Sequence, residues 1–205
     1  MKLGEMTWPD IQDLAKDQLV GVYPIASFEQ HGPHLPLLTD TLETEEIVNR
    51  LDQRIPDQVV CLPAQWLGYS FHHMNFGGSL TATSETHIRV IVETVSGLIE
   101  AGFNKVLIVN GHGGNQPDLR VALQHLKEQD DGARVYGASW WEVAAVKLDQ
   151  IKEAGAPGSG HAGEMETSLM LAIHPDLVKT ERFRDNSIRR ESEYASSIVE
   201  FRRMD

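Results

Sequence analysis

Leu19-Val20-Gly21-Val22-Tyr23-Pro24-Ile25, followed shortly by Glu29-Gln30-His31-Gly32-Pro33-His34-Leu35-Pro36-Leu37-Leu38-Thr39-Asp40, decides how this chain reads. The first half is a short apolar run with the length and composition of a buried strand. The second half carries Gly32, Pro33 and Pro36, which exclude a helix and make it a loop leaving the strand's end. Packing Glu29, His31, His34 and Asp40 into one loop supplies most of what a metal site needs. Glu29 and His31 are two apart and point the same way on an extended backbone. Asp40 is separated from them by enough chain to return as a bridging carboxylate. Mixed oxygen and imidazole donors suit Zn, Mn or Fe rather than Ca or Mg.

Outward from this stretch, strand signals alternate with helix signals. Val59 to Leu62, Val106-Leu107-Ile108-Val109 and Val135 to Ala138 are further strand-length runs. The Val106 run is apolar without alternation, as expected of a strand buried on both faces. Between the runs the spacing predicts helices over Leu42 to Leu51, Glu85 to Ala101, from Pro117 onward, and up to about Ala154. Residues 1–18 read as a short helix, entered at Trp8-Pro9-Asp10 with Ile11, Leu14 and Ala15 on one face, and another is expected over Glu164 to Ile173. In the 85–101 helix Ile88, Ile91, Val92, Val95, Leu98 and Ile99 form one stripe. Residues 155–163 read as a glycine-rich loop, and Val178 to Asp205 as a charged segment outside the core. Such alternation predicts an α/β chain, a mostly parallel sheet covered on both faces. In these sheets ligands bind beyond the carboxyl ends of strands. The loops 29–40 and 110–115 both follow strands directly, so they should meet on one edge.

At 205 residues the chain is expected to form a single domain, 1–205. Its net charge of -12 argues against nucleic acid or an anionic membrane as a partner, since both need a basic face. The lone Cys61 lies in an apolar run and reads as a packing thiol. The first residues carry no apolar core of signal-peptide length and no run approaches a membrane span, so a cytoplasmic location is expected.

Three further elements carry chemistry. In Asn110-Gly111-His112-Gly113-Gly114-Asn115 the glycines let backbone approach a ligand closely around His112. His161-Ala162-Gly163-Glu164-Met165-Glu166 adds an imidazole and two carboxylates at a helix start, where the plainer alternative is that the acids favour the helix dipole. Gly68 to Ser79 mixes aromatics, His72, His73 and glycines without periodicity, and reads as a loop that lines a pocket or packs on itself. Together these residues suit a two-metal site with Asp40 as the bridge, where a bound water would be acidified to hydroxide and would attack an amide or related carbonyl. His161 is the expected acid for the departing nitrogen. No Gly-x-Ser-x-Gly elbow, Walker loop or dinucleotide fingerprint is present.

Taken in order, EQHGPHLPLLTD, the strand with its NGH element, and HAGEMETSLMLAIHPDLV resemble the creatininase (creatinine amidohydrolase) family from residue 5 to about 180. The resemblance implies a three-layer α/β/α fold and two divalent metal ions per chain, Zn, Mn or Fe. It implies hydrolysis of a carbon–nitrogen bond in a small-molecule amide, a cyclic amide such as creatinine, and a homohexamer. It places Glu29, Asp40 and His112 on one metal, and His31 with bridging Asp40 on the other. His161 matches the family's catalytic histidine, and Trp141 aligns with one pocket tryptophan. The chain also departs from the pattern. Gly114 stands where creatininase has a glutamate ligand, Gly113 where it has a tyrosine, and Pro157 where it has a second tryptophan. Glu164 is therefore expected as the replacement ligand, with Glu166 beside it as ligand or catalytic support. His73, Trp141 and Gly113 are expected at the substrate. A formamide hydrolase or mycofactocin-type peptidase on the same scaffold, and a non-catalytic metal-binding protein, stand as alternatives.

Overall fold

The computed structural model describes residues 1–129, 132–154 and 160–184. Four parallel strands form one sheet: β1 (Val20–Ile25), β2 (Val59–Cys61), β3 (Lys105–Asn110) and β4 (Arg134–Ser139), in the order β2-β1-β3-β4. Val22 lies opposite Cys61 on one side and Leu107 on the other, and Leu107 opposite Tyr136. Parallel neighbours need crossovers, and helices supply them. α2 (Thr39–Arg54) joins β1 to β2, α3 (Ser84–Glu100) joins β2 to β3, and α4 (Gln116–Gln129) joins β3 to β4. α1 (Trp8–Gln12) precedes the sheet, while α5 (Trp140–Ile151) and α6 (Glu164–Ile173) follow it.

Alternation along each strand feeds two cores. Tyr23, Ile25, Val106 and Ile108 pack with Ile91, Val95, Leu98, Leu119, Ala122 and Leu126 of α3 and α4. The intervening Val22 and Val109 turn to the opposite face, with Val48 of α2, Val59 and Cys61. The expected parallel sheet with helices on both faces is the observed architecture. The predicted stripe on α3 holds, with Ile91 and Val95 at 0% exposure, each worth roughly 1.5–3 kcal/mol relative to an exposed side chain. Cys61 is the buried packing thiol expected, and burial with nearby Asp52 pushes its pKa up to about 11.

Four boundaries differ from the sequence reading. α1 is a single turn closed by reciprocal Thr7 and Asp10 hydrogen bonds rather than a longer helix. α2 starts at Thr39, ahead of the apolar pattern, so Asp40 lies in a helical first turn and not in the loop. α5 ends at Ile151 instead of Ala154. Val178 is buried against Leu35 and Met170, so the tail's first residues belong to the core. Residues 155–159, which include Pro157, and 185–205 lie outside the described residues. Among the described residues no helix is long and apolar enough to cross a membrane.

Candidate functional site

β1 and β3 are adjacent, so the loops leaving Ile25 and Asn110 emerge side by side. Their contact is tight. A side-chain carbon on Gly111 would fall 1.7 Å from Thr44 Oγ1 of α2, so only glycine lets the end of β3 pass the helix that carries Asp40. Two asparagines lace the loops together. Asn110 Oδ1 accepts from His112 N at 3.1 Å, and Asn115 donates to Ala26 O at 3.0 Å while accepting from Tyr69 N at 2.9 Å. On the β1 side, Glu29 N donates to Leu37 O and Leu80 N to Phe28 O, both at 2.9 Å, which folds residues 29–37 over the strand end.

The predicted donors converge here. Asp40 presents Oδ1 to His31 Nε2 and Oδ2 to His112 Nδ1, both at 2.9 Å, while Ser27 donates to Oδ2 at 2.6 Å. The second nitrogen of each imidazole is committed to backbone: His31 Nδ1 donates to Glu29 O at 3.1 Å and His112 Nε2 to Tyr69 O at 2.9 Å. Those bonds fix which nitrogen faces the site, the arrangement that orients metal-ligating histidines. Glu29 Oε1 lies 3.3 Å from His112 Nδ1, and Oε2 lies 2.8 Å from His73 Nδ1. Both Glu29 oxygens are buried; Oε2 faces His73 Nδ1, while Oε1 accepts no hydrogen bond. A fully buried carboxylate left this way is costly unless a cation takes its lone pairs. The residues present therefore fit a metal ion. Donor atoms of Glu29, His72 and His112 lie within 4.8 Å of one another, and so do those of His31, Asp40 and Glu166.

The helix start at α6 splits its two acids. Glu166 Oε2 approaches His31 Nε2 at 3.8 Å and accepts from Ala162 N. Glu164, expected as the replacement ligand, is not in the cluster; its carboxylate accepts from Glu153 N at 2.9 Å and Ala154 N at 2.7 Å. Positions i and i+2 on a helix do not share a face, so only one of the two can reach the site. Ala162, between them and His161, has φ 52°, a left-handed conformation uncommon for a residue with a side chain. His161 accepts from the Gln30 amide through Nε2 at 2.9 Å, an amide oriented by its own bond from Gly32 N. Because an amide nitrogen only donates, the proton of neutral His161 is on Nδ1, which faces Glu29 Oε1 at 3.6 Å.

Of the expected substrate residues, Trp141 and Gly113 line the cavity of about 270 Å³ above the cluster. A side chain on Gly113 would meet only open space. His73 also lines it, but it is buried with Nδ1 turned onto Glu29, which suits holding that carboxylate better than holding substrate. His34 is elsewhere, bonded through Nε2 to Thr167 Oγ1 at 2.9 Å. Trp141 and Met165 also border a second, largely apolar cavity of about 360 Å³ between α5 and α6.

The sequence reading gave no individual role to Glu43, Asn110 or Asn115, and none to His72 beyond its place in the 68–79 loop. Glu43 was recoverable only as an acid one helical turn beyond Asp40. Its carboxyl is buried, and burial with the charges of Glu166 and Asp40 raises its pKa to about 10. Burial also raises Glu166, to about 7, with Asp40 adding to it against the opposing pull of His31. Burial would lower His31, but Asp40, Glu166 and Glu29 outweigh it and lift the imidazole to about 10. Burial and cationic His31 drop His161 to about 3.

Comparison with known proteins bears on this geometry. A family model described as creatininase, creatinine amidohydrolase, matches residues 4–204. The chain is 31% identical over 183 residues to the mycofactocin precursor peptide peptidase of Mycobacterium ulcerans, covering 86% of this chain and 63% of that protein. It is 29% identical over 183 residues to the 3-dehydro-scyllo-inosose hydrolase of Thermotoga maritima, covering 86% and 57%. The chain thus spans about three fifths of the length of these curated relatives. A solved structure of creatininase in its Mn form superposes with TM-score 0.78 at 27% identity, covering 90% of this chain and 77% of that one.

Proposed function

Since the chain belongs to the creatininase family, we propose that it is an amidohydrolase that uses two divalent ions, Zn, Mn or Fe, to cleave the carbon–nitrogen bond of a small amide, cyclic amides such as creatinine included. One observation carries this reading. Asp40 offers one oxygen to each of two oriented imidazoles, while Oε1 of buried Glu29 goes without a hydrogen bond. Glu29, Asp40 and His112 would hold one ion, and His31, Asp40 and Glu166 the other. When bound, the ions supply Lewis-acid polarisation of a carbonyl and acidification of a water molecule.

The chain's own residues do the rest. Gln30 fixes the His161 ring with Nδ1 toward the cavity, and the ring, once it has taken the proton of the attacking water, would hand that proton to the departing nitrogen. Burial, with a positive charge at the His31 position beside it, keeps His161 neutral. Trp141 supplies a flat apolar wall, and Gly113 leaves room beside it for substrate. On α5, Val143, Val146 and Ile151 are 76%, 72% and 73% exposed, an apolar surface that supports a homo-oligomer such as the family's hexamer.

A second reading, a peptidase, rests on the apolar cavity that shares Trp141 and Met165 with the site, since creatinine has no use for that space. The test is metal content per chain by mass spectrometry together with turnover on creatinine, formamides, short apolar peptides and a cyclic ketone of inosose type. Two ions with amide turnover are expected. Two ions with no turnover on any of these would favour a metal-binding protein, and no ion after reconstitution would reject the reading.

A further inference from the structure

Creatininase-type sequences place a glutamate where this chain has Gly114, and the structure explains why no side chain stands there. A carbon built on Gly114 would lie 2.3 Å from Tyr69 O, 2.4 Å from His112 Nε2 and 2.9 Å from His72 Cε1. Two of those three neighbours come from the loop 68–79, which approaches the turn around His112 more closely than any side chain at 114 would permit. The approach is built rather than incidental. Tyr69 N donates to Asn115 Oδ1 at 2.9 Å, Ser70 N to Thr81 Oγ1 at 2.8 Å, and Tyr69 O receives the His112 Nε2 proton. The short helical turn Phe71–His73 then carries the His72 ring over the site. His72 stacks on His112 with centroids 5.7 Å apart and planes 7° from parallel, and it borders the cavity. One of its nitrogens lies within 4.8 Å of ligand-competent atoms on both Glu29 and His112.

We infer that His72 is a ligand of the ion held by Glu29 and His112, a fourth donor supplied by the loop that the absence of a side chain at Gly114 admits. This inference rests on the dinuclear reading above and adds to it. With His72 that ion has two imidazoles and two carboxylates, because Asp40 Oδ2 also faces it. A donor set with more nitrogen favours Zn, Fe or Co over Mn and Mg. His72 therefore makes the two positions unequal, one with two imidazoles and the other with His31 alone.

The experiment measures ions per chain during dialysis against graded chelator for wild type, His72→Ala and His72→Asp, with the visible spectrum of the Co-substituted proteins as a second readout. Changing groups that only orient ligands weakens affinity roughly 10–100-fold; deletion of a direct ligand should reach or exceed the upper end of that range. His72→Ala is expected to give up one ion at a chelator concentration where wild type keeps two, with a changed Co spectrum. His72→Asp, which restores a donor, is expected to recover the ion and to shift its preference toward Mn. Coincident melting of metal-free wild type and His72→Ala would show that the fold survives the change. Wild type with two ions and His72→Ala with equal chelator resistance would overturn this inference alone. Wild type without ions would overturn it together with the dinuclear reading.

Discussion

Glu43→Gln probes the electrostatics of the site without touching a proposed ligand. Glu43 is 2% exposed, and its Oε1 has no hydrogen-bond partner. Its pKa is about 10 in the folded chain, against 4.5 for an ordinary glutamate. Between those values the folded protein holds a proton that the unfolded chain has released, so wild-type stability falls as pH rises. At about 1.4 kcal/mol per unit, the loss between pH 5 and pH 7.5 comes to about 3 kcal/mol. For a chain of 205 residues this corresponds to roughly 6–12 °C in Tm. Glutamine has no proton to retain and escapes this slope. Its extra N–H carries a burial cost that does not vary with pH, so the slope decides and the offset does not. The assay is a set of thermal melts of chelator-treated wild type and Glu43→Gln across that pH range. The variant should gain on wild type steadily as pH rises. Parallel Tm curves would mean that Glu43 ionises normally, and would refute the account of a pocket too rich in carboxylates to ionise them all.

Other substitutions separate the roles of neighbouring residues. Asp40→Ala should release both ions, since each depends on one of its oxygens; two ions per chain in that variant, measured by mass spectrometry, would remove the bridge. Glu166→Gln should release one ion, whereas Glu164→Gln should keep both, because Glu164 is turned onto the Glu153 and Ala154 amides. The opposite pattern would restore Glu164 as the ligand. His161→Ala should retain two ions while kcat falls about 10²–10⁴-fold, the range for one acid–base group. Normal turnover there would mean that the proton comes from elsewhere.

The elements of the sheet were legible because both faces are covered. A run such as Val106-Leu107-Ile108-Val109 has no other stable place, and the loops after β1 and β3 follow from strand order. The grouping of Glu29, His31, Asp40, His112 and His161 was legible for the same reason: all leave strand ends or helix starts on one edge. What stayed hidden depended on rotation and on distant chain. Glu164 and Glu166 differ by the angular offset of two helical positions, and which one faces His31 is set by where α6 begins and by amides at 153 and 154 that satisfy the other. Asp40 looked like a loop residue because α2 starts before its apolar pattern does. Gly114 announced a missing ligand, but the residue that fills the space comes from a loop some forty positions earlier, beyond the reach of any local pattern.

The protonation pattern argues that this pocket is built for cations rather than as a structural ion-pair network. A structural network would satisfy its members, yet Glu29 Oε1 lacks a hydrogen bond at the centre of the cluster. Burial and the surrounding charges leave His31 at about 10, His112 raised against its burial chiefly by Glu29, Glu166 at about 7 and Glu43 at about 10, while burial and His73 drive His72 down to about 4. The nitrogens that face inward are the ones an ion would need, since the outward nitrogens already donate to Glu29 O and Tyr69 O. Ions entering the pocket must then displace protons from the imidazoles, so their affinity should strengthen as pH rises. His161 stands apart from this competition. Its pKa is driven down to about 3 by burial and by His31, and Gln30 occupies its Nε2, which leaves a neutral ring with one proton aimed at the cavity. Burial and His31 thus keep His161 free of charge against the opposing pull of Glu29 and Asp40, which sets it apart from the residues proposed to bind ions.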